Sequence, residues 1–358
     1  TKSKEDYSAW QLALNFPIYK RTIQNQFVTA IHEKRLYKNK YEAVTKQFNY
    51  QFANSLGEYL YQKYKTAVIT NSIQLAETNL NEVTLSFQLK KKNKIDLLNA
   101  QAYLTSLESK KVLCEQEEKE KFQNFLEFSG LSEEEFKSTQ FAKISLVPAE
   151  IEKLITSIFN LHELIPKFHN IDKESKNIAN SPLYLTKLSE KDYEVANLKQ
   201  LTSNEWPEIS FQASLSNQDD NLKKAFDRDK HEQRYALIFT IPLFNFGSGV
   251  SSTLDQVKST NATIKQKELE INQIQNGINN DANRIEALYA ALKSQEINVN
   301  QQNEIWTLNT ESYHLGRANM LDLLKAQDDF YNSKLNKFKM VIELSTLIEK
   351  FMWEVGEN

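Results

Sequence analysis

Two short phrases of this chain occur twice at almost the same spacing, and this duplication constrains the fold more than any other feature of the sequence. Residues 95–101, Ile-Asp-Leu-Leu-Asn-Ala-Gln, return as Leu-Asp-Leu-Leu-Lys-Ala-Gln at 321–327, 226 residues later. Phe-Pro-Ile-Tyr at 16–19 returns as Ile-Pro-Leu-Phe at 241–244, 225 residues later. Two phrases at nearly one offset predict a duplicated unit. Each unit is a strand with a proline near its end, a very long helix, a turn and a returning helix.

The long helices are predicted from apolar periodicity and from the scarcity of helix breakers. The 358 residues include only seven glycines and six prolines. Residues 20–88 contain no proline and one glycine, Gly57, and their apolar positions keep helical spacing. A second segment, from Gly249 to Tyr313, repeats this pattern. Each helix has a narrow apolar seam, which hairpins this long cannot cover within one chain.

A turn separates each long helix from its returning helix. We call these turns the first tip, Lys-Lys-Lys-Asn-Lys at 90–94, and the second tip, residues 313–319. Gly316 ends the helix that precedes the second tip, because glycine adopts positive φ without steric cost. Asn319 can cap the next helix by accepting a hydrogen bond from a first-turn N–H. The helix after the first tip is predicted to stop at Gly130.

Three segments alternate between apolar and polar residues, which predicts strands with one apolar face. They are Tyr7–Tyr19, Glu205–Ser216 and Arg234–Phe246, and a charged loop joins the last two. Such strands suit a transmembrane barrel, whose residues alternate between lipid and lumen. Three strands cannot close a barrel, so oligomers are expected, and the repeat predicts a fourth strand before Thr1. The alternative interpretation is a β-sandwich or hairpin attached to a coiled coil.

The repeat also predicts the domain organisation. Residues 1–130 are the first repeat, which lacks its first strand, and residues 181–358 are the second repeat. Residues 131–180 are irregular by pattern, apart from a short amphipathic piece at 149–163. No signal peptide is visible in the polar first residues. Given the repeat, we expect the chain to begin downstream of its natural start.

Composition excludes several function classes. A net charge of −3 gives no bulk field that favours nucleic acid. The one cysteine, Cys114, excludes an internal disulfide framework and a cysteine-based metal site. No apolar run approaches the roughly 18 residues that a membrane helix needs. We find neither a cofactor motif nor an active site, so the chain is predicted not to be an enzyme.

Several short motifs have an ordinary interpretation that outweighs the functional one. Gly247-Ser248-Gly249 is favoured as a strand-to-helix turn, because Ser252 replaces the third glycine of a dinucleotide loop. The first tip is favoured as a solvated turn or a protein contact over a site for anionic lipid or nucleic acid. Two sets of polar residues have spacings that fit no metal site: His162, Glu163 and His169; and Asp219, Asp220, Asp227 and Asp229.

Over essentially its whole length, the chain resembles the TolC-like outer-membrane efflux proteins, or outer membrane factors. Three phrases carry the resemblance, and their order, spacing and duplication make it specific. The first is Trp-Pro-Glu-Ile-Ser-Phe at 206–211, and the second is Ile-Phe-Thr-Ile-Pro-Leu-Phe at 238–244 with Gly247. The third is Tyr313-x-x-Gly316 followed by Leu-Asp-Leu-Leu-x-Ala-Gln at 321–327.

The resemblance implies a fold that is mainly α with β. Three copies would share one α-helical barrel across the periplasm, continuous with a twelve-stranded transmembrane β-barrel in the outer membrane. The region 131–180 would form an equatorial belt. The resemblance further implies passive export of small molecules or proteins, together with a periplasmic adaptor protein and an inner-membrane pump. The alternative function is a soluble coiled-coil tether or scaffold, which detergent-free extraction would reveal.

The resemblance also implies roles for residues at the tips. Asp322 matches the family's first constriction residue, and Lys325 occupies the second, where the family often has an acid. Tyr313 and Asp96 match positions that latch neighbouring helices. The residues expected in the tip turns and in the adaptor contact are Gly316, Arg317, Lys91 and Asn93. The first tip departs from the family because it has lysines in place of a glycine.

Overall fold

The computed structural model describes residues 8–138, 148–174, 178–219, 232–241 and 248–356. Helices dominate this part of the chain, and the strands number three. In order, the elements are β1 (Ser8–Lys20), α1 (Arg21–Gln88), α2 (Lys94–Ser129), α3 (Glu133–Ser138), α4 (Pro148–Ile158), α5 (Leu161–Glu174), a 3₁₀ turn (Ile178–Asn180), α6 (Pro182–Leu201), a second 3₁₀ turn (Thr202–Glu205), β2 (Glu208–Asp219), β3 (Glu232–Thr240), α7 (Ser248–His314) and α8 (Met320–Val355).

The predicted long helices and strands are confirmed. Helices α1 and α7 have 68 and 67 residues, and each is followed by a returning helix of 36 residues. Gly130 ends α2 with a left-handed φ of 70°, as its sequence position predicts. The predicted strand end at 242–246, the loop residues 220–231 and Gly247 lie outside the described residues.

The chain forms two compact units. The first consists of Thr1–Tyr41 and Leu183–Ile274, and the second consists of Glu42–Pro182 and Gln275–Asn358. Each unit therefore draws on both halves of the sequence. The division of the sequence into two repeats with a region between them stays a prediction.

The first unit contains an antiparallel sheet in the order β1–β2–β3. Its register shifts between Pro17 and Tyr19, so the proline lies at an irregularity near the strand end, where a missing N–H is tolerated. Phe16 pairs with Phe211, and Phe211 pairs with Leu237. Alternate residues on each strand point to the same face, so these three side chains lie together.

One face of this sheet is apolar and exposed. Its members include Leu12 (67% exposed) and Leu14 (63%) on β1 and Tyr235 (68%) on β3. The residues between them on β1 are Gln11, Ala13 and Asn15, and their partners on β2 are Ser216, Ser214 and Gln212. The predicted strands with one apolar face are therefore confirmed.

Ion pairs join the helices of the first unit. Both oxygens of Glu190 in α6 are paired: Oε1 lies 3.3 Å from Nζ of Lys40, and Oε2 lies 3.0 Å from Nζ of Lys187 and of Lys267. Lys187 also lies 2.9 Å from a carboxylate oxygen of Glu270. A single carboxylate thus connects α1, α6 and α7.

The second unit has an aromatic core. Side chains from α1, α2, α3, α4 and α8 contribute to it, and Tyr64, Ile151 and Ile155 are completely buried. The rings of Tyr64 and Phe338 lie 4.5 Å apart, centre to centre. Gly57 allows α1 to approach this core closely, since a Cβ there would lie 2.6 Å from Cγ2 of Ile342.

The interpretation of residues 131–180 as irregular is wrong for most of the described part. The amphipathic piece predicted at 149–163 is two helices, α4 and α5, which are interrupted at Phe159 and Asn160. Helix α5 includes Pro166. Segments this short gain most of their helical stability from packing, which local sequence does not reveal.

Among the described residues, no helix combines the length and the apolar composition that crossing a membrane requires.

Candidate functional site at the helix tips

The second tip is a tight turn that glycine and asparagine build together. Gly316 has a φ of 70°, and its N–H donates to the carbonyl of Tyr313 at 3.0 Å. The N–H of Arg317 donates to the carbonyl of Ser312 at 2.8 Å. The side chain of Asn319 then accepts a 2.9 Å hydrogen bond from the N–H of Asp322, which confirms the predicted cap.

The first tip has the same backbone conformation without a glycine. Lys90 has a φ of 57°, and its N–H donates to the carbonyl of Phe87 at 2.9 Å. The N–H of Lys91 donates to the carbonyl of Ser86 at 2.8 Å. Asn93 caps α2 by accepting from the N–H of Asp96 at 2.8 Å. The departure from the family's glycine therefore leaves the turn unchanged.

Lys90 is the only residue other than glycine with positive φ in the part of the chain that the structure describes. An L-residue in this conformation brings its Cβ close to a carbonyl oxygen, at a cost of about 1 kcal/mol. Gly316, at the equivalent position of the second tip, avoids this cost. The first tip therefore carries a strained lysine in a turn that glycine forms without strain.

An apolar cluster holds the two hairpins together beside their tips. It contains one buried residue from each of α1, α2 and α7 and three from α8: Val83, Ala100, Tyr313, Met320, Leu323 and Leu324. Met320 is completely buried. Because all four helices contribute, movement of one tip relative to the other exposes this cluster.

The structure places Tyr313 within electrostatic range of Asp96, the other residue of the predicted latch. Both are buried, at 7% and 8% exposure. Burial, followed by the negative charge of Asp96, raises the pKa of the Tyr313 phenol above its ordinary value. The Nζ atom of Lys92 lies 4.0 Å from the centre of the Tyr313 ring, a cation–π distance. Sequence reasoning missed Lys92, although it is the next residue after Lys91 in the same turn.

The two predicted constriction residues are both exposed. Asp322 and Lys325 lie one turn apart near the start of α8, and the first turns toward solvent although its counterpart Asp96 is buried. The four predicted tip residues, Gly316, Arg317, Lys91 and Asn93, are exposed as well. The structure therefore leaves all six available to another molecule.

Sequence reasoning also missed a polar contact between the two returning helices. The Tyr103 hydroxyl donates to Oδ1 of Asp328 at 2.7 Å. The repeat contains a sign of this contact, because its two copies differ here. The residue 226 positions after Tyr103 is Asp329, an acidic residue in place of an aromatic one. Among the described residues, no group of three His, Cys, Asp or Glu side chains is arranged to hold a metal.

Comparison with known proteins shows what this chain is similar to. Residues 189–340 match the family model described as "Outer membrane efflux protein". No curated protein matches the chain by sequence.

Solved channels share the fold of the whole chain. The Campylobacter jejuni CmeC outer membrane channel aligns with a TM-score of 0.78 at 10% identity, over 98% of this chain and 77% of that one. The Vibrio cholerae outer membrane protein VceC aligns with 0.76 at 12% identity, over 99% and 88%. The open state of the Neisseria gonorrhoeae MtrE outer membrane channel aligns with 0.73 at 13% identity, over 98% and 80%. Residues 189–340 thus match the outer membrane efflux protein model, and the chain has the fold of TolC-like channels, which confirms the resemblance.

Proposed function

We propose that this protein is the outer-membrane channel of a tripartite efflux pump or a type I secretion system. Three copies enclose one conduit, which exports small molecules or proteins passively. A periplasmic adaptor and an inner-membrane pump supply the coupling and the energy. The sheet resides in the outer membrane, and the helical hairpins form a large periplasmic part.

The observation that carries this proposal is the one-sided sheet of the first unit. Leu12, Leu14 and Phe16 leave more than half of their surfaces uncovered on one face, while the residues between them are small or polar. In water, each exposed apolar side chain of this size lacks the stabilisation of about 1.5–3 kcal/mol that burial would contribute. Contact with lipid on one side and an aqueous lumen on the other removes this loss. Strands from three copies then close a shared barrel.

Asp322 and Lys325 are the proposed constriction residues. Three copies around one axis place three carboxylates in one ring and three ammonium groups in another, about one helical turn away. The first ring attracts cations and the second repels them. The two rings therefore set the ion preference of the closed channel jointly. Removal of the carboxylates lowers the preference for cations, and removal of the ammonium groups raises it.

Planar-bilayer recording of the detergent-purified protein tests this proposal. Asp322→Ala should lower cation preference, and Lys325→Ala should raise it, with a change in single-channel conductance in both. Asp255→Ala removes an exposed carboxylate from α7 and serves as the control. Unchanged conductance and selectivity in both tip variants would remove these residues from the constriction. Extraction without detergent, as a monomer with no conductance, would instead support a coiled-coil tether.

A further inference from the structure

We propose that the first tip docks an acidic segment of a periplasmic partner protein, with Lys90, Lys91 and Lys94 as the recognising cations. This inference rests on the proposed function, because it assigns the chemistry of the partner that meets the periplasmic end of the channel. The inference concerns the first tip alone, because the two tips have the same backbone conformation but differ in charge.

The first tip has a concentrated and uncompensated positive charge. Four of its five residues are lysine, whereas the residues 226 positions later, 316–320, include one arginine and no lysine. Lys90, Lys91 and Lys94 are exposed, and none forms an ion pair within the described part of the chain. Asp96 is the only acidic residue between Gln88 and the end of the repeated phrase, and it is buried.

The strain at Lys90 indicates that this charge serves a contact with another molecule. Gly316 shows that glycine builds the same turn with the same hydrogen bonds and without strain. The Lys90 side chain is exposed and makes no ion pair among the described residues, so no salt bridge within the described fold offsets the strain. Residues kept in sparsely populated backbone conformations concentrate where function requires them.

Exposed apolar residues flank both tips and complete the surface. Leu89 and Ile95 are 67% and 66% exposed, and Leu315 and Leu321, their equivalents at the second tip, are 66% and 60% exposed. The partner therefore needs apolar side chains for both tips and carboxylates for the first. The lysines give the partner a means to distinguish the two tips and to dock in one register.

A protein segment fits this surface better than an anionic membrane does. Membrane-surface binding uses a broad apolar helix face with basic residues along its border. The first tip is instead a short turn whose immediate apolar neighbours are Leu89 and Ile95. A short acidic turn with its own apolar neighbours matches both the size and the charge of this surface.

Binding to a synthetic helical hairpin tests the inference. The full-length protein in detergent is titrated with a hairpin peptide that has four glutamates at its turn, and with a matched peptide that has four glutamines. We expect the glutamate peptide to bind about tenfold more tightly at low salt. Combining Lys90→Gly, Lys91→Gln and Lys94→Gln should abolish this preference. A triple variant of exposed lysines elsewhere should retain it: Lys110→Gln, Lys119→Gln and Lys153→Gln.

Three results would overturn the inference. The first is equal affinity of the protein for the two peptides. The second is equal affinity of the tip variant and the unmodified protein for the glutamate peptide. The third is binding of the protein to phosphatidylglycerol vesicles and to neither peptide. Single-channel recording on the same preparation separates this failure from failure of the proposed function. A conducting protein without glutamate preference refutes the docking chemistry alone, whereas a protein that never conducts refutes the channel.

Discussion

The hydroxyl of Tyr103 donates a 2.7 Å hydrogen bond to Oδ1 of Asp328 and thereby joins the two returning helices, α2 and α8. Burial contributes most to the raised pKa of this phenol, and the hydrogen bond to Asp328 contributes next. The neutral phenol is therefore the form that the fold stabilises. The contribution of this phenol to the free energy of unfolding is complete below the ordinary tyrosine pKa. It is lost as the pH rises above that value.

Tyr103→Phe should lower the free energy of unfolding by about 1 kcal/mol at neutral pH, because Asp328 loses a donor. Above about pH 10 the difference from the unmodified protein should shrink, since phenylalanine does not titrate. Denaturation of the detergent-purified protein at both pH values measures this effect. Tyr37→Phe, at an exposed position, is the control. A constant difference across the alkaline range would contradict the prediction.

Glu354 should make the second unit less stable as the pH rises toward neutrality. Burial raises its pKa to about 7, although Lys350 opposes the shift from 3.4 Å. The folded state therefore holds a proton that the unfolded state releases, so stability is fullest below about pH 4.5 and falls through pH 7. Glu354→Gln should raise the unfolding free energy by about 1 kcal/mol at pH 8 and change little at pH 5.

The variant leaves Lys350 paired, because its Nζ also lies 2.6 Å from Oδ2 of Asp281. Glu286→Gln, on an exposed face of α7, is the matched control. Equal effects of Glu354→Gln at both pH values would show that Glu354 does not titrate between pH 5 and pH 8, which would contradict the prediction.

Two glycine substitutions within the long helices should have opposite effects on stability. In Gly57→Ala the new methyl would lie 2.6 Å from Ile342 and 3.2 Å from Phe159, both of which are buried. We expect a net loss of about 1–2 kcal/mol. Gly277→Ala meets nothing within 4 Å and should gain about 0.5–1 kcal/mol from helix propensity. Thermal unfolding in detergent measures both, and stabilisation by Gly57→Ala would refute the close packing.

Glu190→Gln should weaken the first unit, because three ammonium groups lose one shared carboxylate. Burial acts to raise the pKa of Glu190, but hydrogen bonds from Lys267 and Lys187 outweigh it, and the pKa is lowered. The ionised Glu190 therefore contributes to the free energy of unfolding above about pH 4.5, and this contribution is lost in acid. We expect a cost of about 1 kcal/mol at neutral pH after solvent screening, and a smaller one in 1 M salt.

Glu268→Gln is the control for this network, since Glu268 pairs with Lys191 and Lys265 on a more exposed surface. It should have little effect. An equal loss in both variants, independent of salt, would mean that packing rather than charge holds α6 in place.

The long elements were predictable because one local rule governs each of them. The apolar period of α1, the glycine that ends α2 and the alternation in β1 depend on near neighbours in sequence. The short helices were not predictable, because Ile151, Ile155 and Phe168 are buried against residues far away in the chain.

At the tips, sequence located the residues but not their surroundings. Asp96 and Asp322 occur in the same phrase, yet one is buried and the other exposed, because different helices pack beside them. Lysine as a residue type does not favour a left-handed backbone, so the lysine composition of the first tip did not reveal the positive φ of Lys90.

The described sheet begins with β1 and ends with β3, and each of these strands has a partner on one side only. Within the described residues, these two borders leave backbone donors and acceptors open to another strand. Under the proposed function, mispairing at these borders competes with the assembly of three copies. We expect a holding chaperone to shield these borders during transit, so that the yield of channels depends on how quickly copies meet rather than on how firmly each one folds.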